Sequence, residues 1–475
     1  MASNKKLKIS ALQTFINVHE SEPSVLNMPN EEIKKKICDT HTHSDRDINV
    51  ASLFAVVRNI LNPAIVAVEN IVMGTKQAYM GELAVPAKGE SDPEASFIPP
   101  LCILKELSNE MACKNPGEET AQKTAMSIQK KLGDYSWDAK AVLTLAAFAL
   151  DYGEFWHLAQ SHSLNQLTKS LGILKRVPIV LPRPGIEKYK YAIVQLNNLI
   201  RETLNVVECI FELEELLAKN DFKDVPTLST ATDSISVEVF WAIISVVDCM
   251  AWMCCLIKDE DKTQEILPFA GKITSTLKSL KGQIALCKGK IDEKEAFLKL
   301  KRFLESPPNI VEVFKKLFFS EDSTYSREPT NNLQQETINI LFSDKVEEVK
   351  EKDVLLFFSD LDISKEDVSI LKPIYEEISR NDQYKIVWIP IVKQWEQNKF
   401  EQLVRDCEMK WYVVQHFSST LGIKYIEEVW QFKERPIIIV VLNSQGIVKH
   451  HDAFPMIRTW KIDAFPFTVE RNKTD

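Results

Sequence analysis

Two runs of residues decide what the carboxyl-terminal part of this 475-residue chain can become. VLLFF at 354–358 and KIVWIPIV at 385–392 are branched and aromatic almost throughout, the composition of strands covered on both faces of a parallel sheet. Between them, Val368, Leu371, Ile374, Tyr375 and Ile378 recur at helical spacing within residues 364–380, so one apolar stripe can lie against that sheet. Ser364 stands where a helix N-cap is needed. A crossover of this kind is right-handed by strong preference and places its working surface at the carboxyl end of the first strand, here residues 359–366.

Further elements follow in order: a helical pattern at 397–407, a strand at 411–414, a helix near 424–432, and Pro436 ahead of the hairpin IIIVVLNSQGIVKHHDA, which turns at 443–446. This order, with AFPFT at 464–468, resembles a thioredoxin-like domain of the nucleoredoxin type over about residues 353–468. The resemblance implies a cis peptide at Pro436. Redox members carry Cys-x-x-Cys after the first strand, because a thiolate at a helix N-terminus attacks a disulfide and a second thiol resolves it. Here that loop reads Ser359-Asp-Leu-Asp-Ile-Ser-Lys-Glu366, with Asp360, Asp362 and Ser364 at the degenerate positions. Cys407, on a different helix, is the one cysteine of the region, so no local dithiol can form and no reductase activity is expected.

SWDAKAVLTLAAFALDYGEFWHL at 136–158, LDISKEDVSILKPIYEEI at 361–378 and the spacing of DTHTH at 39–43 ahead of an apolar segment at 53–68 carry a second resemblance. They resemble the plant sieve element occlusion family, the phloem proteins that include forisome subunits. What this implies is a structural, self-assembling protein of the sieve-element cytoplasm, forming filaments or bodies that occlude sieve elements after wounding. Its implied partners are copies of itself and related family subunits, and calcium response is attributed to the forisome branch. Family members continue past the AFPFT-like motif into a region with a Cys-Pro-x-Cys-like cluster, whereas this sequence stops at Asp475.

The expected fold class is α plus α/β, a large amino-terminal all-helical region followed by the thioredoxin-like domain. Thirteen glycines favour long helices, since average usage of about 7% would give roughly 33. A net charge of −9 without a long basic run argues against a nucleic-acid partner. Nine cysteines, odd in number and irregularly spaced, suit a reducing compartment, and MASNKKLKIS lacks the apolar core of a secretory signal. The reading divides the chain into a loose segment at 1–30, a helical domain at 31–175, a long-helix domain at 186–305, a linker at 306–350 and the α/β domain at 351–475. The proline-rich KRVPIVLPRPG at 175–185 separates the two helical domains, and Pro63 interrupts the helical pattern of 48–78. Residues 235–257 are the most apolar, yet Glu238, Ser245 and Asp248 form a polar stripe, and a central Asp costs about 3 kcal/mol in a bilayer. A core helix is therefore expected there, and no transmembrane segment.

Four other features are candidates for function. Ile266, Ala270, Ile273, Leu277, Leu280, Ile284, Cys287 and Ile291 repeat at four-three spacing, either as the seam of a helical hairpin within the chain or as an assembly stripe between subunits. The cluster His41-Thr-His43-Ser-Asp45 looks like a metal site, and Asp39-x-His41-x-His43 resembles the first ligand pair of metal-dependent phosphoesterases and amidohydrolases, but the preceding EEIKKKIC is helical and charged, which favours solvated or capping residues. Asp151 and Glu154 beside Trp156 and His157 read either as a proton-transfer pair or as a helix end that finds partners. Asp360-x-Asp362-x-Ser364 begins like a calcium loop, but position six is Lys365 and position twelve Leu371, so calcium would bind only at low-affinity surface carboxylates or at a site shared between subunits. No nucleotide loop, nucleophile elbow or spaced Cys/His quartet is present, so neither catalytic residues nor a cofactor are expected. Two functions remain: a self-assembling structural protein, or a thioredoxin-fold redox enzyme or adaptor.

Overall fold

The computed structural model describes residues 24–42, 46, 48–73, 97–161, 164–177, 183–221, 223, 225–258, 268–319, 339–341, 343–380, 382–392, 394–415, 419–432 and 437–468. The chain forms two units, Met1–Lys288 and Gly289–Asp475. The fold class is α plus α/β, with helices and no strand among the described residues of the first unit and a six-stranded mixed sheet in the second.

The first unit is built from α1 (Asn30–Cys38), α2 (Val50–Met73), α3 (Leu101–Met111), α4 (Glu118–Lys131), α5 (Trp137–Ser161), α6 (Gln166–Leu174), α7 (Arg183–Lys219), α8 (Thr227–Lys258) and the first half of α9 (Ala270–Glu305). Two of these have no polar face: α5 and α8 bury most of their residues, and each needs neighbours on all sides. α5 packs on α2, α3, α6, α7 and α8, while α8 packs on α1, α3, α4, α5 and α7. The expected separation into domains at 31–175 and 186–305 is thereby corrected, because the apolar circumference of α8 is covered by helices from both sides of the proline-rich segment. A second correction concerns Pro63. Helix α2 runs through it, with the ring on the exposed face of the helix.

α2 and α8 are long and apolar enough to cross a membrane by length and composition. α8 is mostly buried among the other helices, as a core helix would be. Glu238, Ser245 and Asp248 are buried with it.

The second unit adds α10 (Ile310–Phe318), β1 (Asn339–Ile340), a 3-10 turn (Ser343–Val349), β2 (Asp353–Ser359), α11 (Lys365–Ser369), α12 (Leu371–Ile378), β3 (Tyr384–Pro390), α13 (Gln397–Asp406), β4 (Tyr412–Val413), α14 (Thr420–Glu428), β5 (Ile437–Leu442), β6 (Val448–His450) and α15 (Phe454–Trp460). The strand order is β1-β4-β3-β2-β5-β6. β2, β3, β4 and β1 are parallel, and β5 and β6 run antiparallel to their neighbours. Strand alternation sends Val354, Leu356 and Phe358 of β2 to one face, with Phe314 and Leu317 of α10 and Ile426 of α14. Leu355 and Phe357 go to the other face, with Ile374 of α12, Phe400 of α13 and Ile457 of α15.

Two boundaries differ from expectation. The helix expected over 364–380 divides at Ile370, because Pro373 lies in the first turn of α12 and has no amide to bond back to residue 369. The stretch 306–350 is more than a linker: Asn309 caps α10 through the amide of Glu312 at 2.9 Å, and Ile310, Val313, Phe314, Leu317 and Phe318 are core residues. Residues 320–338 lie outside the described residues. The hairpin turn contains Gly446 at φ +86°, where a Cβ would sit 2.6 Å from Val313 Cγ2 of α10, so glycine is required twice over.

Gly282 and Gly289 lie inside α9 with nothing within 4 Å of an added Cβ. Gly282→Ala and Gly289→Ala are each expected to stabilise the protein by about 0.5–1 kcal/mol through reduced unfolded-chain entropy and better helix propensity. A thermal melt of each variant checks this, and a lowered midpoint would mean that α9 is not a continuous helix there.

Candidate functional site

The loop after β2 holds the positions where chemistry would be sought. Ser359 closes the strand, fully buried, its hydroxyl accepting from the Trp388 indole at 2.9 Å and donating to the Asp360 carbonyl at 3.0 Å. The Asp360 carboxylate accepts the Asp362 amide at 2.9 Å, folding the loop back on itself. Asp362 pairs with Lys399 of α13, and Ser364 caps α11 by accepting the Asp367 amide at 3.2 Å. Asp360, Asp362 and Ser364 are thus near one another in the chain, but each is committed to a different local partner.

Cys407 follows α13 and is half-buried. Burial pushes its thiol up; Lys365 opposes the shift and Asp406 adds to it. A raised thiol is a poor nucleophile at neutral pH. Lys365 and Asp406 themselves form an ion pair at 2.7 Å that closes the loop against α13. What this arrangement does is fasten a strand end to its neighbouring helices. It offers no thiolate and no second sulfur.

At the amino ends of β3 and β4 lies a polar cavity of about 200 Å³ lined by Tyr375, Asp382, Tyr384, Lys385, Lys410 and Trp411. Asp382 bridges Lys352 and Lys385 at 2.8 and 2.7 Å, and those hydrogen bonds hold its carboxyl down at about 2.

The remaining candidates are placed as follows. Pro436, Ile266, His43 and Asp45 lie outside the described residues; the cis X-Pro peptide among those described is Phe465–Pro466. Ile273, Leu280, Ile284 and Cys287 are buried, and Leu277 and Ile291 are half-buried. Lys272 of α9 lies over the Trp241 ring of α8 at 4.5 Å and Gln283 meets Ser234 of α8 at 3.3 Å, so this side of α9 is taken up inside the first unit. Ile273, Leu280, Ile284 and Cys287 thus lose their solvent access within this chain, as the alternative of a seam inside the chain expects of them.

His41 is partly buried, stacked on Trp137 at 4.5 Å with the Nζ of Lys140 3.1 Å from its Nδ1. Its ring is engaged by an aromatic and an amine, while Asp39 of the same cluster is exposed at the carboxyl end of α1. Among the described residues no three His, Cys, Asp or Glu side chains converge as a metal site. Asp151 and Glu154 both pair with Lys175 just beyond α6, at 3.6 and 2.9 Å, and Asp151 also accepts the Ser108 hydroxyl at 2.5 Å. They close a helix junction.

Lys140 escaped the sequence reading. It is fully buried in α5, 4.3 Å over the Trp137 ring, and burial lowers its amine to about 8 against the opposing pull of Cys38 and Asp134. The available signal was a lone lysine in an otherwise apolar turn, AKAVL, four residues before Thr144 on the same face.

Fold and loop together define an all-helical unit joined to a mixed-sheet unit whose strand-end loop is occupied by tethered carboxylates. The family profile described as sieve element occlusion N-terminus matches residues 28–308. The chain belongs to the sieve element occlusion family. It is 31% identical to Protein SIEVE ELEMENT OCCLUSION B of Arabidopsis thaliana, over 92% of this chain and 61% of that protein. It is 26% identical to Protein SIEVE ELEMENT OCCLUSION A of the same plant, over 92% of this chain and 53% of that one. Identity to Protein SIEVE ELEMENT OCCLUSION C is 25%, over 78% of this chain and 57% of the relative. The chain therefore spans between about half and three fifths of the length of these relatives. No solved structure matches.

Proposed function

We propose that the chain acts as a structural, non-catalytic protein of sieve-element occlusion in the phloem, assembling with copies of itself and with related family subunits into filaments or bodies in the sieve-element cytoplasm. The observation that carries this reading is the likeness to proteins named for sieve element occlusion over 92% of the chain. Calcium would act through low-affinity surface carboxylates rather than through the Asp360 loop, whose oxygens are already engaged. Assembly would use surfaces other than the buried side of α9.

The sheet order supports reading the second unit as thioredoxin-like, with β2 central, β3 parallel to it and the β5–β6 hairpin antiparallel. In that reading the domain is a packing module. An insulin-disulfide reduction assay is expected to give only the background rate, since the raised Cys407 thiol has no second cysteine in the unit. Turnover above background that survives Cys407→Ser would show that another group does the chemistry.

Negative-stain microscopy and light scattering of purified protein, with calcium and with a chelator, test the assembly. Filaments or large particles are expected, with their size distribution responding to millimolar calcium. A protein that stays monomeric at high concentration in both conditions would overturn the proposal.

A further inference from the structure

We infer that α6 is a docking element for an anionic lipid surface, into which Leu164, Leu167, Leu171 and Leu174 insert while Lys169 and Arg176 meet the anionic headgroups. Fourteen large apolar side chains are exposed among the described residues, and five of them fall between Leu164 and Leu174. Single exposed aliphatics are ordinary on a protein surface, whereas a contiguous group of them marks a contact. Leu167, Leu171 and Leu174 recur at four-three spacing along α6 and so share one face, with Leu164 directly before the residue that caps the helix. Leu164, Leu167 and Leu174 are 75%, 69% and 80% exposed, and Leu171 37%.

The helix is built before any partner arrives. Asn165 closes its amino end with a capping box: the Asn165 side chain accepts the Thr168 amide at 2.9 Å, and the Thr168 hydroxyl accepts the Asn165 amide at 3.3 Å. α6 packs on α5, with Gly172 buried and Lys175 bridging Asp151 and Glu154 of α5. Beyond its carboxyl end, Val177 is fully buried. Both ends are thus fastened to the helical unit, and docking has no helix to order.

Charge selects the occupant. Residues 164–191 hold six lysines and arginines against the single acid Glu187, in a chain of net charge −9. Lys175 is engaged by α5, but Lys169 and Arg176 are exposed, have no acidic partner among the described residues, and each stands two residues from a leucine of the face. Apolar side chains flanked by cations fit a surface that is anionic at its headgroups and apolar beneath them. A second copy fits less well. Two α6 helices laid face to face would bring their own cations together. A nine-residue helix, about 14 Å long and about 10 Å across, also presents far less than the roughly 800 Å² that each partner of a stable protein interface buries. A lipid surface requires neither that area nor a matching shape.

The test is flotation of the full chain with phosphatidylcholine vesicles that contain about one-third phosphatidylserine, against vesicles of phosphatidylcholine alone. Flotation separates lipid binding from self-assembly, because protein without lipid stays at the bottom of the gradient. The expected result is flotation with the anionic vesicles at low salt, little with the neutral ones, and loss of most binding at about 0.5 M salt. Leu167→Glu combined with Leu174→Glu is expected to abolish flotation, and Lys169→Gln combined with Arg176→Gln to weaken binding about tenfold or more. All four side chains are exposed, so circular dichroism should report unchanged helix content. Should the leucine pair lower it, the charge pair decides, and unchanged flotation of that variant overturns the proposal. No flotation of the wild type, equal flotation with neutral vesicles, or flotation that survives the leucine substitutions would also overturn it. So would lipid-free light scattering in which the leucine substitutions dissolve a self-associated species, since the face would then belong to a second copy.

Discussion

Gly422→Ala is expected to destabilise the second unit by about 3 kcal/mol or more, a large effect for one methyl group. A Cβ at this position would lie 1.7 Å from the Leu317 carbonyl oxygen and 2.9 Å from its carbon. Those are backbone atoms of α10, so no rotamer change relieves the overlap. Retreat of α10 is opposed by Phe314, Leu317 and Phe318, all fully buried, and retreat of α14 by Ile426. The added methyl would also press on the Ser419 hydroxyl that caps α14 by accepting the Gly422 amide at 3.0 Å. The helices must part, opening the aromatic cluster in which Phe318 and Trp430 both pack on Phe358. Urea unfolding followed by tryptophan fluorescence checks the prediction, with Gly282→Ala as a comparison of the same substitution where space is open. An unchanged midpoint for Gly422→Ala would mean that α10 and α14 do not approach this closely.

Much of this fold was legible in the sequence because its strands announce themselves. VLLFF and KIVWIPIV became β2 and β3, and the stripe from Val368 to Ile378 came to lie on one face of the sheet. What was not legible follows from tertiary context. Periodicity shows that α8 is apolar all round, but not which helices cover it, so the proline-rich segment at 175–185 was read as a boundary between domains when the helices on either side share one core. A four-three repeat is equally consistent with a seam inside the chain and a seam between chains. Lys272 over Trp241 and Gln283 against Ser234, contacts that no repeat can reveal, favour the former. α10 was hidden between two prolines and a polar tract, although Ile310, Val313, Phe314 and Leu317 carry the helical period within nine residues.

The candidate site was legible for a different reason: it depends on what the loop contains rather than on where it lies. Missing cysteines are a property of the sequence, and Asp360, Asp362 and Ser364 proved to be occupied locally by an amide, a lysine and a helix end. His41 was the opposite case. Its residue type suggested a metal and its surroundings give it Trp137 and Lys140, partners more than ninety positions away that no local pattern could reveal.

The helical unit is expected to be more stable at pH 5 than at pH 8, with Asp248 supplying the largest part of the difference. Asp248 is fully buried in α8 and neither of its carboxylate oxygens has a hydrogen-bond partner; the Trp252 indole approaches without closing a bond. Burial pushes its carboxyl up to about 7, which the Trp252 indole only partly offsets. Glu238 is pushed to about 7 by burial against the pull of Lys272 and Thr276, and Glu214 to about 7 by burial and by Asp138. In the unfolded chain each returns to the ordinary carboxylate range near 4. Between about pH 4 and pH 7 the native state therefore binds protons that the unfolded state has released, and stability falls as pH rises through that window, levelling off above it. Over the whole window a shift of about three units at about 1.4 kcal/mol each makes the Asp248 contribution on the order of 4 kcal/mol, of which about 3 kcal/mol falls between pH 5 and pH 8. Asp248→Asn keeps the shape and removes the ionisation. It is expected to change the urea midpoint little at pH 5, to raise it at pH 8, and to flatten the pH profile by the amount Asp248 supplied. Parallel profiles for the wild type and Asp248→Asn would show that the carboxylate reaches water or a counter-charge in the folded state, and would remove the buried, unpaired Asp248 from the account of this core.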